Sequence, residues 1–340
     1  MGALIAFLGI VIMIILHEWG HFIAARIFKV PVYEFAVGMG PRLLSHKGKK
    51  GTIFSLRALP IGGFCAFDDT ENSGIEDFAL EKIPIFQKIL ICVAGPFINL
   101  ITGLFIFFML VIFIGASYDT NTVISVLDNY PSYGVLQEND KIILINNIEL
   151  NEETTLSKMV KDSNGMPLEI TFIRNEKAQS VTITPKYDKA AGRYYIGVNT
   201  ALAYRKANLK EVFTQPFTLT MSSIKQIFGG LFGLISGQAK LKDMSGLIGI
   251  VSYANEYATL KSIYTFFSIL AMVSINLGIM NLLPIPGLDG SKILGGFFQI
   301  IFKKKLPKKI QTILINTSFA LLIGFMIIVA INDVIKIFFN

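Results

Sequence analysis

The pentapeptide His17-Glu18-Trp19-Gly20-His21 stands inside an otherwise apolar stretch, with Ala3–Leu16 before it and Phe22–Phe28 after it. A helix over residues 3–28 puts His17 and His21 on one face, where two imidazoles can hold one metal ion. Glu18 then lies beside the metal as a base for its bound water, the H-E-x-x-H arrangement. The same stretch is long enough to cross about 30 Å of hydrocarbon at about 1.5 Å per residue. Ionisable groups inside a membrane helix are costly and mark functional sites, so even the alternative of a proton-relay or structural histidine pair is not inert.

The rest of the composition agrees with a membrane chain. Of 340 residues, 52% are hydrophobic and only 16% charged, which points to an integral membrane protein with one soluble portion. The formal charge of +7 reads as basic inner loops, so no nucleic-acid partner is expected. Cys65 and Cys92 match no ligand spacing and read as small apolar packing residues. The first apolar stretch lacks a basic leader and carries the metal motif, so it reads as a retained span rather than a cleaved signal.

The pattern predicts a polytopic α-helical membrane protein with four transmembrane helices, an inserted β-rich domain and a small membrane-associated β-hairpin. The predicted spans are residues 3–28, 85–115, 263–283 and 310–331. The predicted divisions are 1–115, with spans one and two and the hairpin; 116–203, the β-rich domain; 204–260, an amphipathic segment on the membrane surface; and 261–340, with spans three and four. Glycine-rich turns flank Thr52–Arg57, which alternates like a strand; His46 in the adjoining lysine-rich turn reads as solvated. Residues 68–82 are acidic and read as a surface loop, and Asn99 reads as a helix-packing residue.

The third span ends in Asn281-Leu-Leu-Pro284-Ile-Pro286-Gly-Leu-Asp289-Gly290. Two prolines break the helix, and irregular backbone at membrane depth survives only in a protein interior or a wet cavity. Asp289 on such an unwound segment is the third ligand expected of a three-residue zinc site with one position left for water, giving one Zn2+ per chain. The basic residues of 26–88 and 292–309 place both segments on the cytoplasmic side and residues 116–260 outside. His17 and Asp289 then fall at similar depth.

These motifs resemble the site-2 protease family of intramembrane zinc metalloproteases, in its bacterial RseP/RasP-like branch with one PDZ domain. His17-Glu18-x-x-His21 corresponds to the family's first metal motif, Asn281-x-x-Pro284-x-Pro286-x-Leu288-Asp289-Gly290 to its second, and Gly95-Pro96-x-x-Asn99 to its helix-two signature. The resemblance implies that residues 116–203 form an extracytoplasmic PDZ-like domain with a peptide groove at Ile196, Gly197 and Val198. It implies an enzyme of the bacterial plasma membrane that cuts single-span proteins already trimmed by another protease, in regulated intramembrane proteolysis. Anti-sigma factors and signal-peptide remnants are the typical substrates. Glu18 is the catalytic base in this reading. Asn281 or Asn276, the latter at a polar position of the family's third span, binds substrate or steadies the oxyanion. The alternative is a catalytically inactive membrane scaffold on the same frame; a transporter with a broken helix is a third class, without evident inverted repeats.

A last expectation is physical. A helical substrate must be locally extended before its peptide bond can be attacked, and its freed backbone groups then need partners. Ile53, Phe54 and Ser55 supply the predicted free strand edge.

Overall fold

The structure is a computed structural model. It describes residues 2–67, 83–151, 154–188, 192–237 and 263–303, with single helical positions between 313 and 331. Three described helices are long and apolar enough to cross a membrane: α1 (Gly2–Ile27), α2 (Ile85–Phe113) and, later in the chain, Ile263–Leu282. The predicted fourth span lies mostly outside the described residues, and so do the acidic segment 68–82 and residues 238–260 of the surface segment.

Between α1 and α2 run two long bent strands, β1 (Glu34–Lys47) and β2 (Ile53–Ala66). Gly38 and Gly40 both hold positive φ, near +85°, at the bend in β1, a backbone that side-chain-bearing residues rarely adopt. The bend divides β1 so that each half finds different partners. Residues 34–37 pair in parallel with 53–56 and antiparallel with 63–66, while 42–47 pair antiparallel with 53–57. The 53–57 segment is therefore covered on both sides. This corrects the expectation of a free edge at Ile53, Phe54 and Ser55: β1 folds back and takes that edge. His46 is exposed, as expected.

One buried carboxylate ties three of the paired segments together. Glu34 accepts from Arg42, from Arg57 and from the Ser55 hydroxyl. Burial alone would raise the Glu34 carboxyl, but these donors hold it below the usual carboxylate range. Beside Glu34, just beyond the ends of β1 and β2, Ala25, Val32, Phe67 and Ile91 form a buried cluster that joins α1, the strand termini and α2.

The inserted domain begins with β3 (Ala116–Val126). It continues through β4 (Lys141–Ile145), β5 (Ile148–Glu149), α3 (Leu156–Asp162), β6 (Leu168–Arg174), β7 (Lys177–Ile183), β8 (Lys186–Asp188), β9 (Arg193–Tyr195) and β10 (Val198–Arg205). Its main sheet runs β10-β3-β4-β6-β7. Val123, Ile142, Ile145, Ile170 and Phe172 share the core with Leu156 and Val160 of α3, all buried; Ile170 and Phe172 do so by alternation, and a register irregularity between Ile142 and Leu144 lets both Ile142 and Ile145 join them. Thr155 caps α3 by accepting from the Lys158 amide.

The next helix, α4 (Leu209–Ile235), opens on a full capping box between Asn208 and Glu211, and Glu211 also pairs with Arg205. Leu209, Phe213, Phe217 and Met221 recur every fourth residue along α4 and are exposed. The third apolar helix, α5 (Ile263–Leu282), is followed by a short irregular stretch and α6 (Asp289–Phe302).

Candidate metal centre

His17 and His21 lie one turn apart on α1, as the helical period requires, and both are buried. Trp19, on the opposite face, is exposed. Gly95 in α2 makes room for them: a Cβ there would lie 2.3 Å from His21 Nε2, so any side chain would displace the imidazole.

Asp289 reaches the same point from the other end of the chain. The prolines end α5 at Leu282, and the chain turns through short bonds from Ile285 N to Leu283 O and from Leu288 N to Ile285 O. Leu288 is the extended N-cap of α6, and Asp289 is its first residue. The sequence placed Asp289 on an unwound segment. In the structure the irregular stretch ends one residue earlier, and Asp289 opens a helix. Gly290 must follow, because a Cβ there would lie 2.2 Å from Leu283 O.

Asp289 Oδ2 lies 3.1 Å from His17 Nε2 and 3.2 Å from His21 Nε2, and the two Nε2 atoms are 3.3 Å apart. Among the described residues these three form the one group of side chains able to hold a metal ion together. The donor set fits zinc. Bonds of about 2.0 Å in a tetrahedral shell put neighbouring donors about 3.3 Å apart, and three protein ligands leave a position open. The tautomers bear on the fit as well. His21 Nδ1 is 2.8 Å from Ile91 O, so it carries the proton and donates, leaving Nε2 as a bare lone pair. A bare imidazole nitrogen turned on a carboxylate repels it unless a cation lies between them.

Glu18 is half-buried and lines a cavity of about 220 Å³ with His17, His21 and Asp289. Phe64, Cys65, Cys92, Asn281 and Lys292 line it too. Cys65 and Cys92, read from the sequence as unrelated packing residues, thus share the site. Asn281 is also in the cavity wall, with its amide donating to Leu277 O at 2.9 Å. Asn276 is exposed and is not among the lining residues. Ser55 is buried with its hydroxyl on Glu34, and neither it, Ile53 nor Phe54 lines the cavity. Of the expected peptide groove, Ile196 is a buried core residue of the inserted domain, and its carbonyl accepts from Ser132 N. Gly197 O accepts from Leu127 N, and Val198 pairs with Val126.

The model of Peptidase family M50 matches residues 5–325. The chain belongs to peptidase family M50. It is a zinc metalloprotease of the site-2 protease type and a multi-pass membrane protein. A Fusobacterium nucleatum protein named "Putative zinc metalloprotease" is 32% identical over 99% of this chain and 100% of its own length. A Clostridium acetobutylicum protein of the same description is 33% identical over 97% and 96%. The "Probable protease eep" of Enterococcus faecalis is 28% identical over 96% and 97%. Among solved structures, the PDZ domain of an SdrC-like protein from Listeria monocytogenes aligns with 25% of this chain and 90% of its own, at 24% identity and a TM-score of 0.23.

Proposed function

We propose that this M50 protease holds one zinc ion per chain on His17, His21 and Asp289 and cleaves the membrane segments of single-span proteins within the bilayer. The observation that carries the reading is the convergence of these three donors with Glu18 in one cavity. A bound zinc ion supplies Lewis-acid polarisation of the scissile carbonyl and a water of lowered pKa. Glu18 takes the water's proton and returns it to the leaving amine. Asn281, in the cavity wall, binds the substrate backbone or the developing oxyanion; exposure away from the cavity leaves Asn276 the weaker candidate.

The extended substrate needs a strand partner. Residues 53–57 are covered on both sides, so the partner in this reading moves to 63–66. That segment pairs with β1 on one side only among the described residues, and it carries Phe64 and Cys65 into the cavity wall. The basic segments 26–88 and 292–309 face the cytoplasm, and residues 116–203 form a PDZ-like domain on the outer face of a bacterial plasma membrane. In this arrangement another protease first trims the substrate. The inserted domain then restricts bulky ones, and cleavage releases a cytoplasmic fragment of an anti-sigma factor or a signal-peptide remnant. The exposed apolar row of α4 suits a helix lying on the membrane surface.

The test is purified enzyme in liposomes with a trimmed single-span substrate. The Glu18→Gln variant should keep its zinc and lose about 10²–10⁴-fold in cleavage rate. Cleavage by that variant at the wild-type rate would sink the proposal.

A further inference from the structure

We infer that Asn99 is a positioning residue for His17: its side-chain oxygen accepts the His17 Nδ1–H and so fixes the tautomer that turns a bare Nε2 toward Asp289 and His21. The inference rests on the ligand set proposed above and concerns a residue whose sequence suggested only helix packing.

The two histidines are supported in different ways. His21 Nδ1 donates to a backbone carbonyl, Ile91 O, which every side chain at position 91 would provide. His17 has a side chain at the equivalent place: the Asn99 carboxamide, with its Nδ2 placed 3.2 Å from Nδ1. Asn99 is fully buried in α2, in the apolar interior of a membrane span. A ligating imidazole keeps its proton on the nitrogen away from the metal and needs an acceptor there. A carboxamide offers an oxygen or an NH2 group by a half-turn about its last torsion. Ligation by His17 Nε2 selects the oxygen. As placed, the Asn99 Oδ1 atom has no hydrogen-bond partner among the described residues, so no donor elsewhere opposes the half-turn that brings it to His17 Nδ1.

The amide is also held in place. Ser274 on α5, itself fully buried, donates its hydroxyl to the Asn99 backbone carbonyl at 2.8 Å. Asn99 is thus tied to the helix that leads to Asp289 while its side chain meets a ligand on α1. A packing role alone accounts poorly for these contacts. An amide buried in hydrocarbon with one end unpaired is unfavourable, and leucine would fill a similar volume without polar atoms.

The test uses the full chain in detergent, with zinc affinity read by competition against a chelator and the cobalt-loaded site read by its visible absorption. Asn99→Leu should weaken zinc binding by about 10–100-fold and alter the cobalt spectrum. Its unfolding in excess chelator should occur at or above the wild-type temperature. Asn99→Asp keeps an acceptor of the same shape and should restore affinity to within about threefold of wild type. Wild-type affinity in Asn99→Leu overturns the inference, and so does equal loss in the Leu and Asp variants, which would mean packing. Should Asn99→Leu not fold, Asn99→Ala is read by the same rule. Failure of the underlying ligand set looks different: Asp289→Ala would then bind zinc as tightly as wild type.

Discussion

Asp289 at the helix cluster and Asp140 in the inserted domain are both carboxylates taken largely out of water, yet their partners differ in kind. Asp140, 1% exposed, accepts two bonds from Arg174, at 2.8 Å and 2.6 Å, and a third from the Gln137 amide. The chain itself supplies the countercharge, and the Arg174 guanidinium is correspondingly held above its ordinary range. Glu34 repeats the pattern with Arg42 and Arg57. Among the described residues Asp289 meets no arginine at this point. It meets two imidazoles, one of which has already committed its proton to Ile91 O. A buried carboxylate closed by arginine is a structural tie. One turned on two imidazole nitrogens is a place for a cation from outside the chain.

Removing each carboxylate's support should break the molecule in different places. The largest effect is expected at Asp289. The Asp289→Ala variant should lose its zinc and with it all measurable cleavage, while its fold in excess chelator stays as stable as wild type, since the two side chains it contacts are imidazoles and not a guanidinium. Metal analysis and circular dichroism of the purified variant read both halves. Loss of fold together with loss of metal would make Asp289 a structural residue like Asp140, and the contrast would collapse.

A smaller and opposite effect is expected at Arg174. Arg174→Ala leaves Asp140 buried without its partner and should destabilise the inserted domain by about 3–5 kcal/mol, toward the lower end because the arginine is partly exposed. Hydrogen exchange in β4 and β6 should rise while zinc content does not change. Zinc loss in this variant would show that the metal centre depends on that domain's fold.

These two sites were not equally legible in the sequence. His17 and His21 could be read because the helical period is local, and Asp289 because two prolines forbid a regular helix just before it. Gly95, Asn99 and Ile91 could not be assigned their roles. They act on the histidines across a helix–helix contact from positions some 70 to 80 residues away, and no local pattern records that contact. The same holds for Cys65 and Cys92 in one cavity wall. In the β region, the alternation of residues 52–57 was enough for a strand but silent about its neighbours. The bend at Gly38–Gly40, which covers the expected free edge, is a tertiary event. Helix α6 was missed because glycines and the preceding prolines masked an apolar spacing at Leu294, Phe297 and Ile301. In the inserted domain the β-rich character was readable, but not the Asp140–Arg174 tie, which joins residues 34 apart.

The smallest expected effect sharpens the contrast at a third carboxylate, Asp188. Tyr130 donates its hydroxyl to Asp188 at 2.6 Å, and its ring packs edge-on against Tyr195. That hydrogen bond first, and then burial, push the Tyr130 phenol up to about 12. A group whose folded pKa is raised adds stability that is complete below its unfolded pKa and lost as pH rises through the folded one. The Tyr130 contribution should therefore be whole below about pH 10 and vanish between about 10 and 12. Tyr130→Phe keeps the ring contact and removes only the bond, so near neutral pH it should cost about 0.5–1.5 kcal/mol, at the low end for a half-exposed pair. Above the phenol's raised pKa, wild type and variant should converge in stability. Zinc binding should be the same in both at every pH. Chemical denaturation of the two proteins across the alkaline range, with zinc content measured in parallel, reads this directly. A stability gap that persists at the highest pH would mean that the ring, and not the hydrogen bond to Asp188, is what Tyr130 contributes.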